Sequence, residues 1–437
     1  MAAEEAIKKV WQVLDQERGY VIDLTQRMVR VASVNPKFVV QEGQNNEAGV
    51  QDIVEAELAR IGYDNKRWDV FPGRPNVVGT RKGDEERSLI LCGHIDTVPI
   101  GEEAVWTVDP FGGSIKDDRI YGRGAVDMKS GVAACMAALD AIHRAGIDLS
   151  GRVSMHSVVD EEAGGFGAMD AVAKGELAKA AIVAEPTWGD VQPCEGGLLW
   201  VRITIKGRQG HAGYRFNEIW PQAHTPGRLV PGVNAIELAN RFLGALRDYE
   251  SIRCRTSYHP LVPPGLNTIS PGVIRAGAGV GPDGLPLIMT NPAIIPDVAV
   301  IDLDFKFLPN ERVEDVKEEF DAFVHHFCMQ DRWLRDSPIL IDWSLGGLYF
   351  PAMDTPVDHP LVRSLVARKT ELGRPVRVRG VEFVTDAGHY AGAGVAPVIF
   401  GPGGDGFHGY DEYVAIPSLL ETTKVIAAAV IDWCGVR

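Results

Sequence analysis

Two histidines and a scatter of carboxylates stand where apolar runs end. His94 and Asp96 follow Ser88 to Cys92 (SLILC) as His-Ile-Asp. On an extended chain, residues i and i+2 point to the same side. In an open α/β sheet, ligands gather at the carboxyl ends of the strands. His94 is therefore expected to project into a site, with Asp96 as the carboxylate that fixes the tautomer of a metal-bound histidine. From these two residues alone, a surface pair at a strand end is equally open. Asp127 closes Tyr121-Gly-Arg-Gly-Ala-Val-Asp127, just before a helix starting at Ser130. An Asp there is ordinarily an N-cap, but the glycines let the backbone bend sharply toward an ion. Gly122-x-Gly124 lacks the third glycine and the preceding strand of a phosphate loop. Asp160-Glu161-Glu162 follows the strand-like Arg152 to Val159, and Glu185-Pro186 follows Ala180 to Ala184. Three acids at the end of a buried strand repel one another unless a cation compensates them; taken singly, each is an ordinary strand exit or solvated turn. His408 comes soon after Val395 to Phe400. Together these residues place two histidines and several carboxylates at the strand ends of one sheet. That donor set suits Zn, Mn or Co, and five such ligands, one of them bridging, make a two-metal site.

The elements that must hold them alternate early in the chain. Residues 49–62 read as a helix, 88–92 as a buried strand, 130–146 as a helix stopped by Gly146, and 152–159 and 180–184 as strands. This rhythm implies a parallel sheet covered by helices. After Pro186 the texture changes. Residues 198–206 and 299–307 alternate like half-exposed strands, and 234–248 and 311–328 read as amphipathic helices. The Pro- and Gly-rich stretch 260–296 reads as loops. From about Met353 the first rhythm returns, with a helix over 360–373, a buried strand over 395–400 and a closing helix over 417–433. The expected fold is α/β, a mostly parallel central sheet flanked by helices, interrupted by an inserted α+β lid or dimerisation domain. The expected division is 1–194 and 353–437 for the metal-binding domain and 195–352 for the insertion. An open antiparallel sheet in the insertion leaves an edge on which a second copy can pair.

The 437 residues exceed one ordinary core. A net charge of −15 argues against nucleic acid or an anionic membrane as partner. No apolar run approaches the roughly 18–20 residues that span a bilayer, and residues 1–14 are acidic and amphipathic rather than signal-like. The six cysteines are scattered without a C-x-x-C pair, which fits reduced thiols in a cytoplasmic protein and leaves any metal to His and carboxylate.

The motifs resemble the co-catalytic, two-metal metallopeptidase and deacylase family of acetylornithine deacetylase, succinyl-diaminopimelate desuccinylase, carboxypeptidase G and aminoacylase. The matching segments are Ser33 to Pro36, Gly93 to Pro99, Gly122 to Lys129, Asp160 to Glu162 and Ala184 to Thr187. They continue with Gly210 to Ala212, Gly232 to Ile236, Thr385 to Ala387, and Gly401 through His408 to Glu412, in the family's order over nearly the whole chain. The resemblance implies two divalent ions per subunit, zinc first with Mn or Co as alternates. His94 and Glu185 would bind one, Glu162 and His408 the other, and Asp127 would bridge them. Asp96 would orient His94. Glu161 would be the general base that activates the bridging water and passes the proton to the leaving amine. His211, in the inserted domain, would reach the active site of the partner subunit in a homodimer and stabilise the oxyanion. The implied reaction is hydrolysis of a C–N bond, first the amide of a small N-acyl amino acid or dipeptide-like substrate. Alternatives are hydrolytic deamination of a non-peptide, aromatic amine, or a dimeric metal-binding module without catalysis, against which the intact Glu161 speaks. Two departures bear on the substrate. Lys306 and Gly388 stand where relatives often carry arginines associated with a substrate carboxylate, and Arg and Lys do not interchange at a bidentate site. An insertion between His211 and Asn234 holds Tyr214, Arg215, Phe216, Trp220, His224 and Arg228, residues that would either pack or wall a pocket.

Overall fold

The computed structural model describes residues 3–215 and 232–437. The chain forms two compact units, Met1–Glu195 with Met353–Arg437, and Gly196–Ala352.

In the first unit a six-stranded sheet runs in the order Asp64–Phe71, Arg74–Arg81, Gly151–Val158, Asp84–His94, Ala180–Val183, Ala396–Ile399. The last four strands are parallel to one another, and the first two are joined antiparallel at one edge. Asp84–His94 shows why its end reads as a core strand. Its first four residues are exposed and the rest are buried. Leu89 and Leu91 enter one core while Ile90 and Cys92 enter the other, as alternation in a sheet covered on both faces requires. The helix Ser130–Arg144 is buried almost throughout. Its alanines let it lie against the closing helix Ile416–Cys434, itself rich in buried alanine. The edge hairpin over 64–81 was not among the expected strands. Asp64–Phe71 is half-buried or exposed along its whole length, so it has no clean apolar face to announce it.

The second unit has an antiparallel sheet in the order Pro286–Ile288, Ile269–Val280, Val298–Phe307, Gly197–Lys206, Leu340–Asp342, with Tyr349–Phe350 also beside Gly197–Lys206. Leu199, Val201, Ile203 and Ile205 turn inward onto the helices Ala235–Thr256 and Val313–Met329 through Phe242 and Phe320. The expectation of loops over 260–296 is corrected here, because the twelve-residue strand Ile269–Val280 lies within it. Pro271 sits where the register with Val298–Phe307 shifts before Val273, and bulges and edges are where a sheet tolerates proline. Residues Ser270 to Ile274 are exposed, so no buried alternation marks this strand in the sequence. The helix from Ala235 also runs on to Thr256, capped at its start by the Asn234 side chain accepting from Ile236 and Glu237 N–H.

Candidate active site

His94 is the last residue of the Asp84–His94 strand, and its side chain is 1% exposed. Its Nδ1 lies 3.0 Å from the Asp96 carbonyl oxygen and 3.5 Å from the Asp96 carboxylate. Both are acceptors, so Nδ1 carries the proton and Nε2 is left as a lone-pair donor facing the site. Asp96 is in turn held by the Asn35 side-chain amide at 2.8 Å and accepts the Glu161 backbone N–H at 3.1 Å. Burial would raise the Asp96 carboxyl, but the bonds from His94 and Asn35 outweigh it and keep the group below its ordinary value. Behind it, Asn35 also reaches Asp160 at 3.0 Å, and Asp160 pairs with Lys37 at 2.6 Å and Arg74 at 2.9 Å. Asp160 therefore faces away from the site and into this network, at a left-handed φ of 69°. That turn aims the following Glu161 and Glu162 forward from the strand Gly151–Val158.

Five more side chains converge with His94 in the first unit. His94 Nε2 is 3.3 Å from Asp127 Oδ1, 3.7 Å from Glu185 Oε1 and 3.8 Å from Glu161 Oε2. His408 Nε2 is 3.0 Å from Glu162 Oε2 and 3.4 Å from Asp127 Oδ2. Asp127 thus presents one oxygen to each imidazole. It follows Gly124, at φ 80°, and precedes a cis peptide to Met128. His408 adopts φ 60°. A non-glycine residue in that region needs surrounding structure to keep it there and is common at ligand-holding sites.

The charges show what is missing from the protein's own groups. Burial drives Glu161 and Glu185 well above the usual carboxylate range, with His94 opposing and neighbouring carboxylates adding to the shift. Burial and Asp127 push Glu162 up to about 7. Asp127 is the exception. Burial would raise it, but hydrogen bonds from His408 and His94 win and lower it. His408, bonded to Asp127 and Glu162, is pushed up to about 10. For His94, burial works downward and is overcome by Glu185, Asp127 and Asp96, leaving it well above its usual value. Four buried or half-buried carboxylates share two imidazoles, which is the electrostatic pattern of a cation site. The spacing agrees. Two donor atoms each about 2.1 Å from one tetrahedral ion lie about 3.4 Å apart, close to the His94 and His408 separations above. Among the described residues, His94 with Glu161 and Glu185, and His94 with Asp127 and Glu162, form groups of donor atoms within 4.8 Å of one another. The residues present fit two divalent ions.

The remaining expected residues lie elsewhere. His211 belongs to the second unit, where it is exposed, pairs in register with Ile294 and accepts the Gly213 N–H on Nδ1 at 3.0 Å. Lys306 is in the strand Val298–Phe307 of that unit. Gly388 is buried in the short helix Ala387–Gly392 of the first. Tyr214 is exposed, and Arg215 pairs with Glu237. Phe216, Trp220, His224 and Arg228 lie outside the described residues. Two contributors carried no expected role. Asn35 lay in a matching motif, but its partners are far along the chain. Asp386 is buried with neither carboxylate oxygen hydrogen-bonded among the described residues, and burial lifts it to about 7.

A family model described as peptidase family M20/M25/M40 matches residues 90–432. An N-formyl-4-amino-5-aminomethyl-2-methylpyrimidine deformylase from Bacillus subtilis (strain 168) is 31% identical over 444 residues, covering 99% of this chain and 99% of that protein. A succinyl-diaminopimelate desuccinylase from Hydrogenovibrio crunogenus is 28% identical over 425 residues, covering 94% of this chain and 98% of the relative. Among solved structures, a tripeptidase from Staphylococcus aureus shares the fold with a TM-score of 0.68 at 18% identity, over 95% of this chain and 98% of that one.

Proposed function

The chain belongs to peptidase family M20/M25/M40 and is a metal-dependent hydrolase of C–N bonds in small acyl-amine substrates; from that premise we propose that it removes a short acyl group, formyl foremost, from an amine borne on a heteroaromatic ring. His94 and Glu185 would hold one ion, Glu162 and His408 the other, with Asp127 available to both. Zinc is the first choice for this donor set, with Mn or Co as alternates. When bound, such a pair of ions supplies positive charge that acidifies water and polarises the acyl carbonyl. The observation that carries this reading is the pair of imidazoles each facing carboxylates at ligand separations, with Asp127 between them.

Glu161 stands beside the cluster, its backbone tied to Asp96 and its carboxylate 3.8 Å from His94 Nε2. It takes a proton from the attacking water as the water oxygen bonds to the acyl carbon. It returns that proton to the nitrogen as the C–N bond breaks, giving a carboxylic acid and a free amine. Asp96 keeps His94 in the tautomer that offers Nε2. The ring-amine preference rests on the end-to-end similarity to the deformylase and on Lys306 and Gly388 at the positions where arginines would meet a substrate carboxylate. We further propose a homodimer through the second unit, with His211 donating to the oxyanion in the partner's site. Along Ser270 to Arg275 the strand Ile269–Val280 has no strand neighbour on its outer side among the described residues, which supports pairing there. A cytoplasmic location is supported by six cysteines with no disulfide among the described residues, five of them buried. No described helix is long and apolar enough to cross a membrane.

The test is a panel of N-formylaminomethylpyrimidines, N-acetyl and N-succinyl amino acids and dipeptides, assayed with Zn, Mn and Co for released amine and acid. The formylated ring amine should show the highest kcat/KM. Faster turnover of N-acyl amino acids would return the substrate to that class, and no turnover with any metal would sink the hydrolase assignment.

A further inference from the structure

Glu412 and Arg123 are both buried, and neither belongs to the ligand set. The Glu412 carboxylate is filled by four donors. Oε1 accepts the backbone N–H of Val126 at 3.0 Å and of Asp127 at 3.1 Å. Oε2 accepts the Gly124 N–H at 3.1 Å and Arg123 Nη1 at 2.6 Å. Three of these donors are the backbone of the turn that delivers Asp127, and one is the N–H of Asp127 itself. The Glu412 carbonyl also accepts the Gly122 N–H at 2.8 Å. Arg123 extends the link in the other direction. Its Nη2 donates to the carbonyl of Gly409, next to His408, at 2.7 Å and to that of Pro99 at 3.2 Å, and its guanidinium lies 5.3 Å from the Trp106 ring centre.

We propose that the Arg123–Glu412 pair is a positioning device that fixes the Asp127 turn and the His408 loop against each other, and so sets the affinity for the ion on the His408 side. The inference rests on the ligand assignment proposed above. The two imidazoles are held very differently. His94 is built into a central strand and is 1% exposed, whereas the His408 side chain is 58% exposed in a loop. Other fastenings of that loop are exposed, such as Asp411 accepting from Thr107 N and Oγ1 at 2.8 Å each and the Tyr410 hydroxyl accepting from Glu102 N–H at 3.4 Å. The buried pair is therefore the firm connection between the bridging carboxylate and the second imidazole. Only a carboxylate can accept on both oxygens from four donors. Glutamine places an NH₂ group against two of them, so the turn or the arginine must let go.

The test compares wild type with Glu412→Gln after dialysis, by metal analysis and by zinc titration against a competing chelator. Wild type should bind two ions. E412Q should hold the ion on the His408 side about 10–100-fold more weakly, the usual effect of losing a partner behind a ligand, and the ion on the His94 side, which shares only Asp127 with that turn, distinctly less so, with activity restored by excess metal. The metal-free variant should retain wild-type circular dichroism. Arg123→Lys keeps a positive charge but cannot reach Glu412 and Gly409 together, and it should show the same selective loss if E412Q does not fold. Two ions held with unchanged affinity, or both weakened equally, overturns the proposal. So does failure of both variants to fold, which would make the pair a determinant of folding alone. Absence of bound metal in wild type, or metal retained by His94→Ala together with Asp127→Ala, would instead strike the ligand assignment beneath it.

Discussion

Glu161 and Glu162 are neighbours with different surroundings, and the difference is testable at the level of single atoms. Glu162 lies 3.0 Å from His408, while Glu161 lies 3.8 Å from His94 with its own N–H on Asp96. If Glu161 moves protons and does not ligate, Glu161→Gln should lower kcat by about 10²–10⁴-fold with metal content near wild type. Both ions should survive, because Gln changes the base but none of the five assigned ligands. Loss of metal in step with activity would exchange the roles, since Glu161 can also be grouped with His94 and Glu185 as a ligand. Much of this site was legible in the sequence, because each of its side chains follows an apolar strand or a glycine-rich turn. What lay behind it was not. Asn35 meets Asp96 and Asp160 across separations of 61 and 125 residues, and no local pattern encodes such a meeting. Asp386, whose buried carboxylate has no hydrogen-bond partner among the described residues, sits in a short motif whose neighbours give no sign of its isolation.

Elements succeed or fail as sequence signals according to how cleanly they divide apolar from polar. The strands over 84–94, 180–183 and 396–399 are buried over most of their paired length and were readable. The strands Asp64–Phe71 and Ile269–Val280 were not, for they lie at or near sheet edges where both faces are partly wet. The hairpin over 64–81 still bears on the site. Arg74, at the start of its second strand, pairs with Glu47 and, at 2.9 Å, with Asp160 behind the glutamates. Removing one partner of a buried pair leaves an uncompensated charge, at a cost of about 3–5 kcal/mol. Arg74→Met should therefore destabilise the first unit by about that amount in urea unfolding, and a change below about 1 kcal/mol would show that Asp160 is held by Lys37 and Asn35 instead. The open side of Ile269–Val280 makes a separate expectation. Ile274, 54% exposed there, should be at the contact between copies. Ile274→Lys should then shift the protein toward monomer in light scattering, with the metals retained. Wild type that is already monomeric would remove the dimer, and with it the trans role of His211. If dimers do form, mixing inactive Glu161→Ala and His211→Ala subunits should restore part of the activity.

For the molecule as a whole, the acid side of its stability depends on a histidine far from any role in catalysis. His156 lies within the strand Gly151–Val158, fully buried, with Nδ1 2.8 Å from the Tyr390 hydroxyl and Nε2 without a hydrogen-bond partner among the described residues. Burial, helped by Arg152 and Lys66, pushes its imidazole down to about 3, against about 6.5 for an unfolded chain. The folded state keeps the ring neutral while the unfolded state gains a proton. Its contribution is therefore complete above about pH 6.5 and is lost as the pH falls toward 3, at about 1.4 kcal/mol per pH unit. His389, which burial pushes down to about 4, works in the same direction. Glu162 and Asp386, lifted to about 7, work oppositely in the metal-free protein, so the wild-type curve alone does not isolate the effect. Comparison with His156→Asn does, because every other group is common to both proteins. The variant should be less stable at pH 7, where the packing and the tyrosine bond are lost. Its unfolding free energy should nevertheless fall less steeply between pH 6 and 4, by about 1.4 kcal/mol per unit, so that the two curves converge. Denaturation of both metal-free proteins across that range measures the difference directly. Parallel curves would mean that His156 takes up its proton in the folded state as readily as in the unfolded one, and that burial in this sheet does not keep it neutral.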